Sequence, residues 1–286
     1  MATMIVAKAR AVAELVKVEL PAAAGVCVVA GEVMALGHLP TVSTAILGFL
    51  VGFLISGAAM ISNDYFDYEV DKVNHPERPF PSGRITKSEL MVTEAAFSLA
   101  GLVAAGILGL VVLAAAAALW VVGFLYNWRY KEAGLLGNTM VSVSVASTFV
   151  IGGMASAGPV NGLVWTFGCL AFMFDLAEEI AGGAMDVIGD AQRNVRSLAR
   201  THGRTQAFRV STFLYILVIV GTLTPFAMDW LGTGYLVIVA VVDILIGYFA
   251  FELYESKTPQ EGRRRIRHLY LTALGLVAAF LVGGML

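Results

Sequence analysis

The sequence predicts an all-α, polytopic membrane protein, a bundle of about nine transmembrane helices whose N-terminus lies in the cytoplasm. Two observations predict this class. The chain is 58% hydrophobic and 14% charged, whereas soluble domains carry roughly a quarter charged residues. Its basic residues also fall between long apolar stretches, always on one side of the predicted bundle. Nothing in this charge pattern points to nucleic acid.

A spanning helix needs about 20 mostly apolar residues, and turn-forming sites divide the uncharged stretches into segments of that length. The first turn is Gly37 to Pro40, the next lies in the Gly106 to Gly109 region, and a third runs from Ser156 to Gly162. Charged segments make the remaining boundaries. The predicted spans are residues 16–36, 42–62, 89–107, 110–127, 135–155, 161–181, 207–227, 232–252 and 268–286.

The Lys and Arg residues, 19 in total, test this count. Under the nine-span arrangement they all fall in the N-terminal segment and in the four loops on its side of the membrane. Cytoplasmic loops carry the excess of Lys and Arg in membrane proteins. We therefore expect a multi-pass protein of the cell membrane, with its functional site at the cytoplasmic face.

The order of the charged segments suggests an internal repeat within a single membrane domain, residues 1–286. An acidic segment follows the second predicted span, another follows the sixth, and each precedes a basic loop. This order predicts two related four-helix halves, about 16–127 and 135–252, followed by a terminal helix at 268–286.

The two acidic segments carry the strongest functional signal. On a helix, Asn63, Asp67 and Asp71 would lie one turn apart on one face, and Asp186 and Asp190 repeat that spacing. Carboxylate and amide oxygens suit Mg²⁺ and the phosphates that it carries. We therefore predict that these five residues are the metal ligands and the catalytic residues.

The segment from Asn63 to Ile85 resembles the UbiA superfamily of intramembrane prenyltransferases, whose pattern is NDxxDxxxD followed by RPxxSGxI. Further parts of the chain resemble the same superfamily, in the same order. They are Tyr126 to Lys131 with Gly134, Gly137 and Asn138, then Asp186 to Asp190, then Arg196 and Ser197 leading to Gly203.

The resemblance implies an enzyme that transfers an isoprenyl group from a prenyl diphosphate to an acceptor. It implies Mg²⁺ as the cofactor, bridging the diphosphate to both acidic motifs, with membrane lipids around the bundle. Cations near these motifs would neutralise the leaving diphosphate. The predicted substrate-binding residues are Lys72, Arg78, Arg84, Tyr126, Lys131, Asn138, Arg193 and Arg196.

One departure from the family pattern concerns the second motif. Much of the family has Lys-Asp where this chain has Gly182-Gly183, so one cation and one carboxylate are missing. Glu178 and Glu179 lie one turn earlier and could replace the carboxylate, while Arg193 or Arg196 could replace the cation.

The acceptor is the least determined part of the function. The string from Pro76 to Ile85 is most similar to archaeal enzymes of the superfamily that use geranylgeranylglyceryl phosphate, so we expect transfer of a geranylgeranyl group to the hydroxyl of that lipid. An alternative acceptor is an aromatic compound such as 4-hydroxybenzoate or a quinone precursor. A divalent cation transporter is the alternative outside enzymes, although transport sites usually lie near the bilayer midplane.

Overall fold

The computed structural model describes residues 2–156, 160–187 and 195–283, and within these ranges it contains helices and no strand. A five-residue π-helical turn, Tyr126–Tyr130, continues the sixth helix. The helices are α1 Ala2–Val16, α2 Glu19–Leu36, α3 Val42–Phe66, α4 Tyr68–Asn74, α5 Lys87–Leu108, α6 Leu110–Leu125, α7 Leu135–Ala155, α8 Gly162–Met185, α9 Leu198–His202, α10 Arg204–Gly221, α11 Thr224–Ala227, α12 Thr233–Tyr254 and α13 Pro259–Gly283.

Each predicted span coincides with a long helix. In the described part of the chain, seven segments are long and apolar enough to cross a membrane, formed by α2, α3, α5, α6 with its π turn, α7, α10 with α11, and α12. The other two long helices carry charges: α8 contains Asp175, Glu178 and Glu179, and α13 begins with a basic stretch. The prediction of an all-α, multi-pass membrane bundle is confirmed, while the count of nine spans and the side of the N-terminus stay predictions.

Several helix boundaries differ from the predicted ones, including the ends of α3 at Phe66 and of α8 at Met185, each four residues later than predicted. The first span begins at Glu19 rather than residue 16, because Lys17 has φ 53° and separates α1 from α2. The seventh is divided into α10 and α11 near Pro225, which lacks the N–H that a continuous helix needs. The last helix begins at Pro259, earlier than the predicted residue 268.

Close packing of α2 against α3 and α7 forms the centre of the bundle. A β-carbon on Gly31 would overlap the Phe149 carbonyl, and one on Gly152 would overlap the Val28 carbonyl. Glycine therefore lets the backbones of α2 and α7 touch, as small residues do in membrane bundles. The same holds for Gly52, whose β-carbon would lie 2.7 Å from the Ala24 carbonyl oxygen.

The packing order is similar in two parts of the chain. Neighbouring long helices pack consecutively from α2 through α3 and α5 to α6, and again from α7 through α8 and α10 to α12. The terminal helix α13 packs against α12, α8 and α2. Two related halves remain a prediction that this order favours.

Candidate active site

The first acidic segment lies at a break between two helices. α3 ends at Phe66 and α4 begins at Tyr68, so Asp67 is the residue between them. The one-turn hydrogen bonds nevertheless continue, from Asp67 N to Asn63 O at 3.0 Å and from Asp71 N to Asp67 O at 2.8 Å. The three predicted ligands therefore stay one turn apart, although not on a single uninterrupted helix.

Asn63 and Asp67 meet Lys131, which follows the π-helical turn. Lys131 forms an ion pair with Asp67. In the amide orientation that satisfies both of its polar atoms, Asn63 accepts a hydrogen bond from Lys131 Nζ at 2.8 Å and donates one to Asp67 Oδ2 at 3.2 Å. The structure thus brings together a predicted metal ligand pair and a predicted diphosphate-binding cation.

The π-helical turn explains how this contact arises. Lys131 N donates to Tyr126 O at 2.9 Å, an i→i+5 bond that widens the helix by one residue. In the same turn, Asn127 is buried and its side-chain amide donates to the Ala59 carbonyl at 3.0 Å. Single π-helical turns inside α-helices are frequent at functional sites. Here the turn attaches this segment to α3 beside Asn63.

Two further acidic side chains of this segment are buried and paired with cations. Asp71 is 3% exposed and accepts a hydrogen bond from Arg78 Nη1 at 2.6 Å. Asp64, which is 1% exposed, pairs with Lys17 at 2.7 Å. Sequence reasoning missed the pair of Asp64 and Lys17. A carboxylate next to the end of an apolar span, where ionisable groups are costly, was the available signal.

The loop after α4 holds the other predicted cations in different surroundings. Arg84 Nη1 contacts Glu14 Oε2 at 2.6 Å, and this hydrogen bond lowers the pKa of the Glu14 carboxyl. Lys72 pairs with the exposed Glu69 at 3.2 Å, which raises the pKa of Lys72. Arg84 is therefore held against α1, and Lys72 is not brought to the cluster around Asp67.

The second acidic segment is only partly described. Asp186 follows the last residue of α8, is half-exposed and contacts Arg263 of α13 at 3.2 Å. Asp190 and Arg193 lie outside the described residues. Within the described ranges, no three His, Cys, Asp or Glu side chains form a group that could hold a metal ion by themselves. The assignment of both motifs to one metal site stays a prediction.

The second basic loop is joined to the π-helical turn through its backbone. Arg196 N donates to Glu132 O at 3.2 Å, and the Arg196 carbonyl lies where a β-carbon of Gly134 would be. Gly134 also has φ 63°, in the left-handed region that glycine adopts readily. This contact places Arg196 beside the loop that follows Lys131. Asn138, another predicted binding residue, lies in the first turn of α7.

A cavity of about 590 Å³ runs through the bundle below these residues. Most of its wall is apolar, but the end next to Asn63 is polar. The polar lining residues at that end are Lys17, Asn63, Tyr126, Asn127, Asp175, Glu178 and Glu179. Asp175 Oδ2 accepts a hydrogen bond from Ser142 at 2.8 Å, whereas Glu178 Oε1 is buried without a partner. These α8 carboxylates face the same space as Asn63.

The position of Gly182 can be compared with the family pattern. A β-carbon there would meet no atom within 4 Å, so packing does not require glycine at this position. Glu178 lies one turn earlier and faces the cavity. The replacement of the missing carboxylate by Glu178 or Glu179 stays a prediction.

A multi-pass helical bundle whose apolar cavity has carboxylates and cations at one end is typical of an intramembrane protein that binds anionic ligands with apolar chains. Residues 24–282 match the model of the UbiA prenyltransferase family. The chain belongs to this family. It is therefore a prenyltransferase, which confirms the predicted enzyme class and removes the cation transporter alternative.

Curated relatives match over most of their length. The digeranylgeranylglyceryl phosphate synthase of Thermococcus kodakarensis is 33% identical over 262 residues, which cover 92% of this chain and 93% of that one. The synthase of Methanopyrus kandleri is 37% identical over 230 residues, covering 80% and 83%. The predicted resemblance to this branch of the superfamily is confirmed.

Solved structures show the same fold. A structure of a digeranylgeranylglyceryl phosphate synthase has a TM-score of 0.79 at 26% identity and covers 97% of this chain and 99% of that chain. A UbiA homologue from Aeropyrum pernix gives 0.82 at 17% identity, covering 94% and 99%. A UbiA homologue from Archaeoglobus fulgidus, bound to DMAPP and Mg²⁺, gives 0.74 at 15% identity, covering 96% and 98%.

Proposed function

We propose that this prenyltransferase transfers a geranylgeranyl group from geranylgeranyl diphosphate to the free hydroxyl of geranylgeranylglyceryl phosphate, with Mg²⁺ as cofactor. The observation that carries the proposal is the cluster of Asn63, Asp67 and Lys131 at the polar end of the apolar cavity. The names of the curated relatives support the choice of acceptor. The runner-up acceptor is an aromatic compound such as 4-hydroxybenzoate or a quinone precursor.

The donor atoms around Asp67 fit a hard divalent cation. Asn63, Asp67 and Asp71 offer only oxygen ligands at one-turn intervals, which is the donor set that Mg²⁺ prefers. Each of the two aspartates forms an ion pair with a basic side chain, Asp67 with Lys131 and Asp71 with Arg78. Asp186 and Asp190 would complete the set from the second motif. When bound, Mg²⁺ would neutralise the charge that develops on the leaving diphosphate.

Lys131 and Arg78 are positioned to bind the diphosphate itself. Both side chains are partly buried, so their charges are screened less than those of exposed residues. Once the carboxylates of Asp67 and Asp71 are engaged by the donor complex, the two cations can donate to diphosphate oxygens instead. Arg196, which is held beside the Lys131 loop, adds a third cation on the same side.

The cavity below the cluster protects the reaction from water. As the allylic C–O bond breaks, positive charge develops on the isoprenyl carbon, and an apolar wall keeps water from capturing it. The acceptor oxygen forms the new C–O bond and loses its proton. Asp175, Glu178 and Glu179 are the carboxylates that face this end of the cavity and could receive that proton.

A phosphate on the acceptor requires cations beyond those that bind the donor. A second pocket beside the first contains two cations that are not assigned to the donor, Lys17 and Arg84, next to Arg78 and together with Glu14, Asp64 and Glu77. Lys17 lines both this pocket and the large cavity. A glyceryl phosphate headgroup in the second pocket would therefore lie close to the reacting end of the donor. A neutral quinone precursor would not need these cations.

The proposed orientation puts this site at the cytoplasmic face of the cell membrane, with nine spans and a cytoplasmic N-terminus. Its support is the confinement of Lys and Arg to one set of loops. The function is tested by incubating purified protein with geranylgeranyl diphosphate and each acceptor and measuring the prenylated products. Prenylation of 4-hydroxybenzoate with no product from geranylgeranylglyceryl phosphate would overturn the proposed acceptor and leave the family assignment intact.

A further inference from the structure

The reaction proposed above joins two long apolar chains to one glycerol, so both chains must be inside the protein, or against it, at the same moment. Exposing either chain to water is unfavourable, because removing each CH₂ group from water contributes about 0.8 kcal/mol of favourable free energy. In the described part of the chain, the charged residues that line the large cavity are Lys17, Asp175, Glu178 and Glu179. The following inference rests on the proposed function and concerns how this cavity holds both chains.

The wall of the cavity has two apolar sides that belong to different parts of the chain. On one side are Ile55 and Ala59 of α3 with Ala116 and Leu119 of α6, and we call this side the first lobe. On the other side are Ala171 of α8, Val218 of α10, Ile246 of α12 and Val277 of α13, which we call the second lobe. Each side could accommodate an isoprenoid chain.

The α2 and α7 pair lies between the two lobes in the packing of the bundle, because α2 contacts α3 and α13 and α7 contacts α6 and α8. Both helices contribute lining residues, including Val28 and Phe149, and their backbones touch where Gly31 and Gly152 remove the side chains. Buried side chains on the two sides also form separate hydrophobic cores. Ile55 and Ala116 belong to one core, which includes Val28. Val218 and Ile246 belong to another, and Val277 belongs to a third, which includes Phe149. A chain in one lobe therefore passes on the opposite side of the α2 and α7 pair from a chain in the other.

The two lobes meet at the polar end. From Asn63, the lining face of α3 continues through Ala59 to Ile55, so the first lobe lies directly below the first acidic motif. From Glu178, the lining face of α8 continues through Ala171 to Phe167, so the second lobe lies below the α8 carboxylates. Each lobe thus begins at a different set of polar groups.

We propose that the first lobe binds the isoprenoid chain of the donor diphosphate and the second lobe binds the isoprenoid chain of the acceptor lipid. The donor diphosphate at Asn63 and Asp67 directs its chain down α3. The acceptor chain lies along α8, which places the acceptor hydroxyl at the shared polar end near Glu178 and Glu179.

With the two chains placed in this way, each bond that breaks or forms in the reaction lies at the shared polar end. The C–O bond between the isoprenyl carbon and the diphosphate breaks, and the diphosphate keeps the electron pair. The acceptor oxygen forms the new C–O bond, and its proton passes to a carboxylate at the entrance of the second lobe. The product then carries one chain in each lobe, joined through glycerol at the polar end.

The test narrows one lobe at a time in the full-length protein. Ala59→Leu narrows the first lobe, and Ala171→Leu narrows the second. Two control variants introduce leucine at exposed positions of lining helices: Ala118→Leu on α6 and Cys169→Leu on α8. Steady-state KM values are measured for geranylgeranyl diphosphate and for geranylgeranylglyceryl phosphate, and thermal unfolding confirms that each variant is folded.

We expect Ala59→Leu to raise the donor KM about tenfold, equivalent to losing roughly two methylene contacts, and to leave the acceptor KM unchanged. Ala171→Leu should do the opposite. A donor with a short chain, dimethylallyl diphosphate, should be insensitive to Ala59→Leu. If both variants raise the KM of the same substrate, or if Ala171→Leu acts on the donor, the two-lobe assignment is wrong. Absence of product with the wild-type protein would instead refute the proposed acceptor. If Ala59→Leu does not fold, Ala116→Leu replaces it.

Discussion

Replacing Asp67 by alanine tests the proposed metal and diphosphate site at its centre. The side chain of Asp67 is 15% exposed, its partner Lys131 is 23% exposed, and Asn63 contacts both. The variant removes one ionic metal ligand and the group that orients Lys131. Loss of a single electrostatic stabiliser typically lowers kcat by about 100-fold to 1,000-fold. We therefore expect Asp67→Ala to reduce kcat by about 100-fold or more. We also expect the wild-type protein to be inactive in excess EDTA, which removes Mg²⁺.

The accompanying loss of stability should be smaller. Lys131 loses its ion-pair partner but keeps its hydrogen bond to Asn63, so we expect about 1–3 kcal/mol. Glu69→Ala is the matched control, because the Glu69 side chain lies two residues away in the same motif and is 80% exposed. The assay measures product by mass spectrometry as a function of Mg²⁺ concentration. If Asp67→Ala retained kcat within about threefold of the wild type, the assignment of this residue would be refuted.

Three further predictions concern topology, a glycine and the acceptor. In a variant without Cys27 and Cys169, a single cysteine in the 156–162 loop should react with a thiol reagent added outside the membrane, and one in the 74–84 loop only with reagent added inside. Labelling of both loops from the same side would contradict the nine-span orientation. Gly134→Ala should lower the melting temperature, because Gly134 has φ 63° and a β-carbon there would overlap the Arg196 carbonyl. Gly182→Ala is the control and should not lower it. Equal melting temperatures for the two variants would argue against the contact between Gly134 and Arg196. Arg84→Ala should raise the KM of the acceptor more than the KM of the donor. Arg10→Ala is the control: it removes the other partner of Glu14, a side chain that is 82% exposed, and should change neither KM. A change confined to the donor KM would exclude Arg84 from the acceptor site.

The sequence was sufficient to locate the long helices because a spanning segment must be apolar along its whole length. The predicted span 89–107 corresponds to α5, Lys87–Leu108, and 135–155 corresponds to α7, Leu135–Ala155. Boundaries that depend on single residues were less accurate. The left-handed conformation of Lys17 is unusual for a residue with a side chain, so its separation of α1 from α2 leaves no composition signal.

The same distinction holds for the site. The spacing of Asn63, Asp67 and Asp71 identified residues that indeed lie one turn apart. It did not predict the ion pairs of Asp67 with Lys131 and of Asp71 with Arg78, because both cations lie outside the helical turns that carry the carboxylates. The π-helical turn that positions Lys131 has no signature in hydrophobic periodicity. Burial of Asp64 likewise depends on how α1 packs against α3, which local sequence does not specify.

The most direct test of the proposed function is a comparison of two acceptors with one donor. Purified protein in matched detergent, with geranylgeranyl diphosphate and Mg²⁺, is given either geranylgeranylglyceryl phosphate or 4-hydroxybenzoate, and the products are quantified by mass spectrometry. We expect a lipid with two geranylgeranyl chains from the first acceptor and little product from the second. Efficient prenylation of 4-hydroxybenzoate, with no product from geranylgeranylglyceryl phosphate, would contradict it.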